Sequence, residues 1–77
     1  MKEIYISIRI TEYGNGTMTC VMNQSIDDGP IEITEISLEK ARKLMWELVL
    51  AGGTREVSVN RYDRDIVTRS AYIFLPN

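Results

Sequence analysis

The chain has 77 residues, nine basic and eleven acidic side chains and a formal net charge of −2. A chain this short buries only about 60% of its unfolded surface, which excludes a large core and leaves room for one domain. A composition 44% hydrophobic and 26% charged excludes a disordered chain, the slight acidity disfavours unspecific nucleic-acid binding as the main activity, and one cysteine excludes an internal disulfide.

Residues 3–11 read EIYISIRIT. Ile4, Ile6, Ile8 and Ile10 alternate with Glu3, Tyr5, Ser7, Arg9 and Thr11, the period of two that marks a strand with one buried face. Residues 17–24, TMTCVMNQ, alternate again. Met18, Cys20 and Met22 share one side; Thr17, Thr19, Val21 and Asn23 share the other. Between them YGNGT is hairpin chemistry. A two-residue Asn15-Gly16 turn would set Ile10 against Val21 and the isoleucine row beside Asn23. A three-residue Gly14-Asn15-Gly16 loop, with Gly16 in the left-handed region, sets Ile10 against Cys20 and Ile8 against Met22. Keeping one face apolar selects the second register.

Residues 25–36 are a connection in which Asp27-Asp28-Gly29-Pro30 is turn chemistry. Within it, Ile31-Glu32-Ile33 suits a short edge strand. Ser37 is placed to cap a helix, with Glu39 in the first turn at the positive end of the dipole. Ile36 and Ala41 have the spacing of a hydrophobic staple, and Gly52-Gly53 end the helix. At about 100° per residue, Leu38, Ala41, Leu44, Met45, Leu48 and Val49 fall on one stripe. Residues 55–62 and 66–75 read as a second hairpin across Asp63-Arg64-Asp65, with Val57 and Val59 pointing inward. In the last strand, Val67, Ala71, Ile73 and Leu75 make the better buried face, and Arg69, which shares it, must snorkel out at the sheet margin. The order β-β-α-β-β predicts an α+β fold, with one helix packed on one face of a four-stranded, mainly antiparallel sheet. Residues 1–77 are expected to form a single domain.

Catalytic chemistry is sparse. There is no histidine, which removes the commonest general base and metal ligand. Cys20 sits between Met18 and Met22 and reads as a buried structural thiol. QSIDDGPIEITE fails as a calcium loop: with Gly29 at its sixth position, Gln24 and Ile26 occupy the first and third. Neither GNG nor AGG belongs to a phosphate-loop motif, and AGG ends a helix, the wrong end of the dipole for an anion. No catalytic residue, cofactor or metal is expected. MKEIYISIRI lacks the apolar segment of a signal peptide, and no run reaches the roughly 18 apolar residues of a membrane helix. The expected compartment is the cytoplasm.

Four features could carry binding. Trp46, the single tryptophan, lies about 100° past Met45 and off the apolar stripe. Leu50 follows four residues on and Arg42 flanks both, the composition of an interface anchor. The acidic run Asp27, Asp28, Glu32, Glu35, Glu39 falls in a first half, residues 1–40, that carries three bases and seven acids, a balance of −4. It suits a basic protein surface, where it would mimic phosphate. Residues 41–77 carry six bases and four acids, a balance of +2. The sheet face away from the helix would show Tyr5, Ser7, Arg9, Val21, Ser58, Asn60, Tyr62, Ile66, Ser70, Tyr72 and Phe74, a mixed surface that suits a dimer or stacked bases. Finally, Arg61, Tyr62 and Arg64 in RYDRD could grip phosphate together with Arg9 and Tyr72, although Asp63 and Asp65 point to cross-strand ion pairs instead.

In size and element order the chain is similar to small proteins of phages and mobile elements, some of which inhibit host nucleic-acid machinery. That likeness of architecture implies a modulator of a nucleic-acid-handling protein. The expectation is a non-enzymatic protein-interaction module with an unidentified protein partner, using Trp46, Leu50, Arg42 and the acidic run. The alternatives are a nucleic-acid-binding domain and a homodimer that completes its own core.

Overall fold

Ile4, Ile6, Ile8 and Ile10 put four β-branched side chains on one side of the first strand, and the sheet grows outward from that strand. The computed structural model describes residues 3–76. Its elements are β1 (Glu3–Glu12), β2 (Met18–Ile26), β3 (Glu32–Glu35), α1 (Leu38–Leu50), β4 (Thr54–Val59) and β5 (Val67–Pro76). The strands form one antiparallel sheet in the order β3-β2-β1-β5-β4. The fold is therefore α+β with one helix. The sheet has five strands rather than four, because the residues 25–36 connection turns back and pairs Glu32–Glu35 with β2.

The first hairpin takes the three-residue loop. Tyr13 N–H donates to Thr17 O at 2.8 Å, Gly16 N–H donates to Tyr13 O at 3.0 Å, and Gly16 has φ +87°. Ile10 accordingly faces Cys20 and Ile8 faces Met22. In β5, Ala71 and Ile73 are buried and pair with Ile8 and Ile6. Arg69 reaches the margin, where its Nη1 donates to Glu12 Oε2 at 3.1 Å. Both side chains are substantially exposed, so the pair contributes under about 1 kcal/mol.

The helix ends follow their residues. Ser37 Oγ accepts from Lys40 N–H at 3.1 Å. At the other end Gly53 N–H donates to Leu48 O and Gly52 N–H to Val49 O, with Gly52 at φ +97°, which is a Schellman cap. A β-carbon on Gly53 would stand 2.7 Å from Tyr72 O and 2.8 Å from Leu48 O. Glycine there lets the helix end close on β5. This helix, with 13 residues, is too short to cross a membrane.

Ile8, Ile10, Cys20 and Ala41 are the buried centre, with Ile36, Leu38, Leu44, Met45 and Leu48 packed round it. Two expectations fail at the β4 edge. Val57 and Val59 share the helix side of the sheet with Arg69 and Val67, yet they are 61% and 53% exposed. The helix lies over β1, β2 and β5 and touches β4 only lightly. The strand also stops at Val59 instead of residue 62. Asn60 Oδ1 accepts from Tyr62 N–H (2.8 Å) and Asp63 N–H (3.0 Å), which turns the chain out of the sheet. Asn60, Tyr62 and Ile66 therefore belong to the loop rather than to a strand face. Within it Asp63 Oδ1 accepts from Asp65 N–H at 3.0 Å. Asp63 thus caps backbone, and among the described residues neither loop acid is in an ion pair with an arginine.

The uneven cover predicts uneven mutational costs. Ile8→Ala should lower stability by about 3 kcal/mol, and Val57→Ala, on the same side of the sheet, by under about 0.5 kcal/mol. Urea unfolding followed by far-ultraviolet circular dichroism measures both. Equal losses would mean that β4 is covered after all. Gly52→Ala should cost about 1–2 kcal/mol because of its positive φ.

Candidate functional site

Trp46 and Leu50 stand off the helix stripe and are 62% and 69% exposed. The connection that carries β3 does not cover the ring, because β3 is at the far edge of the sheet from β4. Trp46 instead flanks a groove of about 200 Å³ between the helix and β4–β5. Ile10, Met45 and Val49 supply apolar lining, and Arg42, Arg55 and Arg69 supply the polar part. Pairing explains the convergence. Arg55 sits opposite Ala71 and Val57 opposite Arg69, so both arginines rise on the helix side of adjacent strands, and Arg42 descends from one turn before Trp46. Among the described residues Arg69 is ion-paired with Glu12, and Arg42 and Arg55 are in no ion pair. A flat apolar ring beside three guanidinium groups favours an anionic ligand with an apolar portion.

The acidic residues do not form one surface. Asp27 and Asp28 are the centre of the β2–β3 turn, both at positive φ (52° and 56°), closed by Gly29 N–H to Ile26 O at 2.9 Å. Both signs match the primed turns of hairpins, which Asp tolerates better than most residues. The Asp27 carboxylate is already engaged, since its Oδ1 accepts from Glu3 N–H at 2.6 Å. On β3, Glu32 pairs with Gln24 and Glu35 with Val21, which puts them on opposite sides of the sheet. Glu39 is in the first turn of α1. The run thus wraps round the β3 edge.

The open face carries Tyr5, Ser7, Arg9, Val21, Ser58, Ser70, Tyr72 and Phe74 by register. Its aromatic rings gather: Tyr5 and Phe74 centroids are 4.9 Å apart, Tyr72 and Phe74 6.2 Å, Tyr5 and Tyr72 6.4 Å. Ser7 is held out of water and accepts from Asn23 Nδ2 at 3.2 Å. Arg61, Tyr62 and Arg64 lie in the β4–β5 loop. Tyr72 is five residues along β5 from the loop end, about 17 Å. Arg9, Tyr72 and the loop arginines are therefore not one site.

Two residues escaped the sequence reading: Arg55 of the groove, and Glu56, which follows it on β4 and whose Oε1 accepts from Tyr72 O–H on the open face at 3.3 Å. Their alternation with Val57 could have placed Arg55 on the helix side. Their neighbours come from β5 and α1, which no local pattern connects. The fold and its surfaces define a small α+β protein with an open antiparallel sheet face and a basic groove beside an exposed tryptophan. Comparison with protein-family models, with curated proteins and with solved structures finds no match.

Cys20 is buried, and burial pushes its thiol above the ordinary range against a smaller opposing pull from Arg42. The unfolded thiol therefore ionises first. Stability from this group is intact below about pH 8.5 and declines as pH rises through the unfolded value towards the folded one. Native protein should react with Ellman's reagent far more slowly than urea-unfolded chain at pH 8, and Cys20→Ala should flatten the decline. Equal reaction rates would place the thiol at the surface.

Proposed function

We propose that this protein is a non-enzymatic interaction module whose Trp46 groove binds an acidic segment of a partner protein that also presents an aliphatic or aromatic side chain. One observation carries the reading: the single tryptophan is mostly exposed beside a groove that three arginines line. An exposed indole left in water forgoes a large burial gain. Trp and Arg are the residue types that most often dominate binding energy at interfaces. The apolar lining would take the partner's hydrophobic side chain, Trp46 would close over it, and the guanidinium groups would take carboxylates bidentately. Leu50, on the same outward side, extends the apolar rim. The acids of residues 27–39, divided round the β3 edge, have no part in this surface.

The test is calorimetric titration with three probes: a glutamate-rich peptide containing one leucine and one phenylalanine, its lysine-substituted counterpart, and a single-stranded oligonucleotide. The acidic peptide should bind and the lysine peptide should not. Trp46→Ala should weaken binding by about 30-fold, and Arg42→Glu with Arg55→Glu should abolish it. Failure of the acidic peptide to bind, or tighter binding of the oligonucleotide with a steep salt dependence, would overturn the proposal.

A further inference from the structure

The open face holds a second site of opposite character. An open hollow of about 580 Å³ is lined by Tyr5, Tyr72 and Phe74 together with Asp28, Glu56 and Ile31. That volume is within the range of ligand sites. Its aromatic walls are angled rather than parallel, with Tyr72 and Phe74 at 81° and Tyr5 tilted by about 40° to each. No lysine or arginine lines it. Arg9, the cation of that face among the described strand residues, is opposite Ser70, two residues along β5 from Tyr72, and is two strands, about 10 Å, from Glu56.

The two carboxylates arrive from separate elements. Glu56 rises from β4, and its Oε1 accepts from Tyr72 O–H at 3.3 Å, which holds it against the aromatic group. Asp28 comes from the β2–β3 turn. Its neighbour Asp27 makes the hydrogen bond to Glu3 that closes the strand end, so the Asp28 carboxylate takes no part in that closure. Ring faces carry partial negative charge and attract cations, and this adds to the two carboxylates. A planar guanidinium can stack on a ring while its fork reaches a carboxylate, which an ammonium cannot do.

We infer that this hollow is a receptor for an arginine side chain of a partner protein, with Tyr5, Tyr72 and Phe74 as the stacking surface and Asp28 and Glu56 as the anionic clamp. The inference is independent of the Trp46 groove, which lies on the other side of the sheet and prefers the opposite charge.

The experiment is a nitrogen-15 correlation titration of the whole protein with acetyl-Gly-Arg-Gly-amide, its citrulline counterpart and its lysine counterpart. Citrulline keeps the shape of arginine and removes the charge. The arginine peptide should shift the amides of Tyr5, Gly29, Tyr72 and Phe74. Citrulline should bind at least about fivefold more weakly and lysine should be intermediate. Glu56→Gln and Asp28→Asn should each weaken the arginine peptide by a similar factor. Both variants preserve side-chain shape, and asparagine tolerates the positive φ at position 28. Trp46→Ala should leave the titration unchanged, which separates this site from the groove. Equal affinity for arginine and citrulline, or shifts centred away from the aromatic residues, would overturn the inference. So would an unaltered titration in the Glu56→Gln, Asp28→Asn double variant.

Discussion

The structure depends on a shortage of cover. A helix of 13 residues is about 20 Å long and 10 Å wide. Five strands at about 4.8 Å spacing make a sheet roughly 24 Å across. One helix can roof only the middle of such a sheet, and it roofs β1, β2 and β5. Ile8 and Ala71 on the sheet and Ala41 on the helix have no exposure. Outside that footprint apolar side chains remain in solvent on both sides, including Val57, Val59, Trp46 and Phe74. Ala41 on the helix packs with Ile8, Ile10 and Cys20 at the buried centre.

The exposed surfaces are sorted by charge as well as by polarity. On the helix side, Arg42, Arg55 and Arg69 surround Trp46. On the open side, Asp28 and Glu56 flank three aromatic rings. Neighbouring residues of β4 divide between them, Arg55 to one side and Glu56 to the other, because strand side chains alternate. A formal charge of −2 therefore hides two local fields of opposite sign. The two proposed sites lie on opposite sides of one sheet and have opposite charge.

Much of this was legible residue by residue. The alternation of the isoleucines with polar residues, the choice of a three-residue loop over Asn15-Gly16, and the selection of Ala71 and Ile73 over Tyr72 and Phe74 all follow from keeping one face apolar. Ser37 and Gly52-Gly53 bound the helix by satisfying backbone groups that the helix itself leaves unpaired. The angular placement of Trp46 off the stripe needs only the helical repeat. Other features were not legible. Val57 and Val59 alternate like core residues, but alternation reports a side of the sheet and not whether anything covers it. The aspartates of residues 61–65 look like ion-pair partners in the sequence, while Asn60 and Asp63 spend their side chains on backbone N–H groups. The acidic run reads as one block along the chain, and the turn at Asp27-Asp28 and the alternation on β3 distribute it round an edge.

By itself the sequence determined the element types, the first hairpin register, the helix ends and which side of each long strand is apolar. These are set by interactions within a turn or across one hairpin, between residues close in the chain. The tertiary structure alone decided the pairing of β1 with β5, the bounds Glu32–Glu35 and the β2 partner of the edge strand that Ile31-Glu32-Ile33 suggests, and the meeting of Arg42 with Arg55 and Arg69 at Trp46. It also brought Asp28 and Glu56 to the Tyr5, Tyr72 and Phe74 rings. Those groups lie far apart in the chain, and only strand order and the reach of a single short helix bring them together.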